Sequence, residues 1–148
     1  MSSAVAHLVL VRSMHCSLAV LAVAVLSSCL CNCNFDSGTP WHSGPYALKW
    51  IDKPDDVWLE YRRPGGGSDV RVDPQVFAVG RNEHYVVAKQ HPGGDRSVTN
   101  FFIIDATRES PRSERSDIVR GPLSEAEFQR LSHELGLPPF TKILASLQ

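Results

Sequence analysis

Thr99–Asp105 reads TNFFIID and carries four apolar residues in succession, Phe101 to Ile104. Successive side chains of a strand point to opposite faces, so a strand apolar on both parities has both faces covered. This reading puts TNFFIID at the centre of a sheet. Upstream lies VDPQVFAVGRNEHYVVAKQHP, Val72–Pro92. It holds two apolar strands, Gln75–Val79 and Tyr85–Gln90, around Gly80-Arg81-Asn82-Glu83, which has the composition of a hairpin turn. Further back, Tyr46, Leu48 and Trp50 alternate with Ala47, Lys49 and Ile51, and Val57, Leu59 and Tyr61 share one parity. Lys53–Asp56 turns between these two strands, and Arg63–Asp69, RPGGGSD, is a flexible loop.

Downstream, Ala106–Asp117, ATRESPRSERSD, reads as a charged, mobile loop. A helix follows. Ser124 is placed to cap it, Glu127 to reach back as the second half of a capping box, and Leu123 with Phe128 to form a hydrophobic staple. Phe128, Leu131 and Leu135 lie on one helical stripe. Gly136 supplies a left-handed stop, and Pro138-Pro139 prevents continuation. The fold class expected is α+β: an antiparallel sheet of about five strands covered by one C-terminal helix. The chain has 148 residues, enough for one such domain, here 46–148.

Hydrophobic residues make up 43% and charged residues 21%, a globular balance, and the net charge of −1 gives no field that would favour nucleic acid. No residue set carries obvious chemistry. PGGGSD at Pro64–Asp69 and HPGGD at His91–Asp95 are Gly-rich, but neither has the Gly-Lys-Ser/Thr ending or a following helix to bind phosphate. His84 and His91 are seven apart, so on a regular strand their rings face opposite sides. Asp55-Asp56 sits in a turn. Neither a G-x-S-x-G motif nor a cysteine occurs after residue 33. Arg62-Arg63, and Arg108, Arg112 and Arg115, form two basic spots suited to anionic headgroups or glycans. No catalytic, metal-binding or cofactor-binding residue is assigned.

The N-terminal segment differs. Residues 1–28 hold no Asp or Glu and a single Arg, Arg12, ahead of LAVLAVAVL at Leu18–Leu26, nine apolar residues. That length suits a signal-peptide core and is short of the roughly 20 residues of a spanning helix. Leu26-Ser27-Ser28-Cys29 then resembles the lipobox of bacterial lipoproteins. The resemblance implies cleavage before Cys29 and lipidation of Cys29, with two or more acyl chains giving a stable anchor at about 0.8 kcal/mol per buried CH₂. Met14 is an alternative start. Cys31 and Cys33 are left for a local disulfide or further acylation. Residues 29–45 then form the acylated N-terminus and a flexible linker, with Trp41 its one large apolar group.

A second resemblance covers about two thirds of the mature chain. AVGRNEHYVVAKQHP (Ala78–Pro92), NFFIIDAT (Asn100–Thr107) and GPLSEAEFQRLSHELGLP (Gly121–Pro138) are similar to small bacterial lipoproteins built on a domain of unknown function. The likeness implies architecture and tethering and no catalytic residue. Lys89-Gln90 is the piece of it that strand and cap patterns leave unexplained. The expected function is a lipid-anchored cell-envelope protein, on the outer membrane facing the periplasm where the host has one. It would act as a non-catalytic binding or structural module with another envelope protein as partner, without nucleic acid or cofactor. A periplasmic inhibitor or immunity protein, and an envelope hydrolase using His84, His91 or Asp95, are the alternatives.

Overall fold

A computed structural model describes residues 36–148; the expectations for the leader 1–28, for Cys29 and for Cys31 and Cys33 lie outside the described residues. Strands β1 (Ser37–Ser43), β2 (Tyr46–Ile51), β3 (Trp58–Arg62) and β4 (Ser68–Val72) form one antiparallel sheet in that order. Strands β5 (Val76–Arg81), β6 (Tyr85–Gln90), β7 (Asn100–Asp105), β8 (Val119–Leu123) and β9 (Lys142–Ile143) form a second, ordered β8-β7-β6-β5-β9. A single helical turn, α1 (Arg115–Ile118), precedes β8, and helix α2 (Glu125–Leu135) follows it.

The mixture of antiparallel strands and a C-terminal helix agrees with the expected class, but there are two sheets where one was expected. The reason lies in the strand that is apolar on both parities. Phe102 and Ile104 of β7 join Val86 and Ala88 of β6 in a core shared with Leu48 and Leu59 of the first sheet. Phe101, Ile103 and Val87 face the other way, onto Phe128 and Leu131 of α2. One helix covers only one of those faces, so the first sheet closes the other. The layers are therefore sheet, sheet, helix. β7 is buried on both faces, as its composition requires, yet β6 is the central strand.

Three local expectations are corrected. The linker was expected to run through Pro45, but Ser37–Ser43 is strand β1, with Trp41 opposite Leu48 and packed on the first core. Its Gly, Pro and Ser content is tolerable because β1 is an edge strand. The loop expected at Arg63–Asp69 ends early, since Ser68–Val72 is β4. Finally, Gly80 and Arg81 belong to β5 and not to the hairpin turn. The turn is made by Asn82, whose side-chain oxygen accepts from the backbone N–H of His84 (3.0 Å) and of Tyr85 (2.8 Å).

The α2 start signals act as read. The Ser124 hydroxyl donates to Glu127 Oε2 at 2.6 Å and accepts from the Glu127 N–H at 3.3 Å, while the Ser124 N–H reaches Glu127 Oε2 at 2.9 Å. Leu123 packs on the cluster that contains Phe128, and Gly136 closes the helix at φ 62°. The Ser124 hydroxyl, and after it the Ser124 N–H, hold the Glu127 carboxyl below the usual carboxylate range. A carboxylate lowered by folding stabilises above its unfolded pKa, and that contribution is lost as the pH falls through the folded value. Ser124→Ala removes this cap and is expected to lower the melting temperature near neutral pH. In thermal melts at stepped pH, the gap to the parent narrows as the pH drops below the ordinary glutamate range; a gap constant down to pH 2 would contradict this.

Candidate functional site

His91 follows β6 directly, and its backbone N–H is fixed by the Gln75 carbonyl at 3.0 Å. Its ring stacks on Phe77, centroid to centroid 4.2 Å with 10° between planes, and the residue is only 5% exposed. Ring Nδ1 lies 2.8 Å from the Val98 carbonyl oxygen. A carbonyl only accepts, so Nδ1 carries the hydrogen. Nε2 is then the ring's free position, and it is buried without a hydrogen-bond partner among the described residues. His84 is exposed at the far end of β6, so the two imidazoles do not meet.

His91 lines a cavity of about 520 Å³ together with Lys89, Ser97, Thr99 and the aromatic walls Phe77 and Phe101. Lys89 explains its own place in the chain here. Its Nζ lies 5.1 Å from the Phe101 ring centroid and 4.8 Å from that of Phe140, a cation held by two aromatic faces. Among the described residues no carboxylate pairs with it. Arg96, also on the cavity wall, donates to the Ser146 carbonyl at 2.7 Å and to the main-chain oxygen of Gln148, the last residue of the sequence, at 3.3 Å.

Asp95 accepts from the Ser97 hydroxyl at 2.6 Å and the Ser97 N–H at 2.9 Å, which hold its carboxyl below the usual range, with His91 a smaller influence. In a Ser-His-Asp hydrolase, histidine Nε2 takes the serine proton and Nδ1 donates to the carboxylate. Here serine binds the aspartate directly and Nδ1 binds a carbonyl. His91 and Asp95 of the hydrolase alternative are neighbours, but they are not wired with Ser97 as a triad, and His84 lies at the other end of β6.

The charged loop expected to be mobile is pinned at Glu109. Arg71 of β4 donates through Nη2 at 2.6 Å and Nε at 3.1 Å to the two Glu109 carboxylate oxygens, and the Tyr46 hydroxyl donates to Glu109 Oε2 at 3.1 Å. The side chains of Arg71 and Glu109 are 3% and 4% exposed. Arg71 also lies over the Tyr61 ring at 5.5 Å. Burial, and then the neighbouring Glu109 charge, push the Tyr46 phenol above its ordinary range. Burial alone would lower Arg71, but the Glu109 hydrogen bond and charge outweigh it and leave the guanidinium raised. Glu60 is buried as well, accepting from Trp58 Nε1 at 3.2 Å and from the Ser68 hydroxyl at 3.0 Å.

The basic spots come partly together. Arg63, Arg112 and Arg115 line one recess of about 430 Å³, but acidic groups line it too. Arg115 makes a two-point bridge to Asp73 (3.0 and 2.9 Å), and Arg63 lies 3.6 Å from Asp69. Arg108 borders a separate recess with Asp105 and Asp117. Arg63 and Arg115 are thus paired where they stand, whereas Arg62, Arg108 and Arg112 have no carboxylate partner among the described residues. Asp56 of the acidic pair accepts from Gln75 Nε2 at 2.7 Å. Arg63–Gly67 is the hairpin connection between β3 and β4, with the Arg63 N–H bonded to the Gly67 carbonyl at 3.0 Å.

Sequence pattern did not single out Arg71, Glu109 or the partners of Lys89. Their partners are distant in the chain, and only Lys89 left a signal, as a charge beside a buried strand. Among the described residues no group of three or more His, Cys, Asp or Glu is placed to hold a metal ion. No helix there is long and apolar enough to cross a membrane. Neither the curated proteins nor the solved structures include a significant match to this chain. One family model does match, over residues 43–143, which spans the end of β1 through β9 and so nearly all of the two-sheet architecture. The chain belongs to the family described as "Protein of unknown function (DUF3997)".

Proposed function

We propose that this protein is a lipid-anchored cell-envelope component whose folded part is a non-catalytic binding module. The binding half of the reading is carried by the His91–Lys89 cavity. Among the described residues His91 Nε2 there has no hydrogen-bond partner and Lys89 no carboxylate, while Arg71 and Glu109 close on one another and the His91 ring is bonded to a carbonyl and not to a hydroxyl. Concave sites with a few convergent polar groups and apolar walls are the usual form of small-ligand sites. The anchoring half rests on the order Arg12, Leu18–Leu26, Ser27-Ser28-Cys29, with Cys29 the lipidated residue. Seven residues, Leu30 to Asp36, separate that cysteine from β1. The destination is the outer membrane, facing the periplasm, in a host that has one. An envelope protein partner is supported by the edge strands β1 and β4, each paired on one side only among the described residues.

Growing cells on labelled palmitate tests the anchor. The parent chain is expected to incorporate label and sediment with membranes. Cys29→Ala is expected to carry none and to keep its leader. Equal labelling of the variant, or none in the parent, defeats the proposal.

A further inference from the structure

We infer that the cavity between His91 and Lys89 takes a small molecule with an oxyanion head, carboxylate or phosphoryl, and an apolar body. This deepens the binding reading above and does not depend on the anchor. Three observations converge. His91 Nε2 is a buried polar atom without a partner, in a residue otherwise fixed on three sides by Gln75, Val98 and Phe77. Such a group is costly unless something fills its hydrogen bond. The Lys89 ammonium has aromatic faces but no carboxylate, so its N–H donors are not matched by an anion. Arg96 lies on the same wall but is engaged by the main-chain oxygens of Ser146 and Gln148, and Glu125 stands on the rim. Phe77 and Phe101 make the remaining wall apolar.

The sign of the charge decides the ligand class. A metal cation would face Lys89 and Arg96 and meet one imidazole, too few donors for a stable site. An oxyanion is attracted by the Lys89 ammonium, which no carboxylate neutralises among the described residues. It also satisfies His91 in either protonation state: a protonated phosphoryl or carboxyl group donates to the Nε2 lone pair, and a protonated imidazole donates to an anionic oxygen. The Thr99 hydroxyl is within the same lining.

The test uses the full chain in dodecyl maltoside, with ¹⁵N-labelled histidine and constant ionic strength. Sodium phosphate is titrated in one arm and sodium octanoate in the other. The His91 ring signals are assigned by their loss in His91→Gln. A saturable shift of His91 Nε2, with Nδ1 still protonated, is expected. Octanoate alone reaching saturation identifies a carboxylate with an apolar tail, and phosphate alone a phosphoryl head; either supports the inference. Lys89→Met keeps the apolar stem and the melting temperature but is expected to bind at least tenfold more weakly. No saturable shift with either probe at millimolar concentration overturns the inference, as does Lys89→Met binding like the parent. A Cys29→Ala chain that keeps the shift but takes no palmitate separates this site from the anchoring question.

Discussion

Glu109→Ala is expected to be among the most damaging single changes in the fold, lowering the unfolding free energy by about 3–5 kcal/mol. With about 4–5 °C of Tm per kcal/mol for a domain of this size, the melting midpoint falls by about 15 °C. The loss comes from what remains. Arg71, with a side chain 3% exposed, keeps only Asp69 at 3.8 Å, and the Tyr46 hydroxyl loses its acceptor. The segment after β7 also loses the contact that holds it on the first sheet. The apolar double replacement Arg71→Met with Glu109→Leu is expected to recover most of the loss, because removing both charges leaves none buried alone. Urea denaturation of the parent, of Glu109→Ala and of the double replacement checks the claim. A Glu109→Ala midpoint within experimental error of the parent would mean that solvent already screens the pair.

Gly80→Ala is expected to cost about 3 kcal/mol, the upper range for overpacking a close contact. A methyl group at Gly80 would overlap the Pro139 carbonyl oxygen and lie 2.8 Å from its carbon. Those are backbone atoms and cannot swing aside as a flexible side chain would. The segment they belong to is stitched to β5 by the Thr141 N–H to the Val79 carbonyl (3.0 Å) and the Leu144 N–H to the Phe77 carbonyl (2.7 Å). β9 must therefore shift or detach. Amide hydrogen exchange is the direct readout. The variant should lose protection at Thr141 and Leu144 before the rest of the sheet opens, and protection equal to the parent's there would refute the close approach.

The contrast between these sites separates what is local from what is not. The helix α2 was legible in detail because its determinants lie within fifteen residues: Ser124 and Glu127 at the start, the Phe128–Leu131 stripe, Gly136 at the stop. Tyr85–Gln90 matched β6 to the residue, since an uninterrupted apolar run flanked by turn residues leaves little choice. Gly80 was misplaced into the turn because glycine serves both a turn and a close backbone contact, and only the position of Pro139 distinguishes them. β4 was missed because Ser68-Asp69-Val70-Arg71-Val72 carries two charged residues. Arg71 is buried only through Glu109, a residue 38 positions away. The candidate cavity shows the same division. His91 and Lys89 were noticed, one as a histidine and one as an unexplained charge, but nothing in the chain order joined them to Phe140 or Phe77.

The sequence by itself determined the strands whose apolar residues leave them no exposed face, the helix with its caps, and the need for a cover on each side of β7. Those follow from backbone periodicity and from hydrogen bonds made within a few residues. Tertiary structure alone decided that the second cover is another sheet, that a charged loop carries a buried carboxylate, and that His91 and Lys89 share a cavity. Each of these depends on groups far apart in the chain, whose burial and pairing energies exist only once the layers have closed.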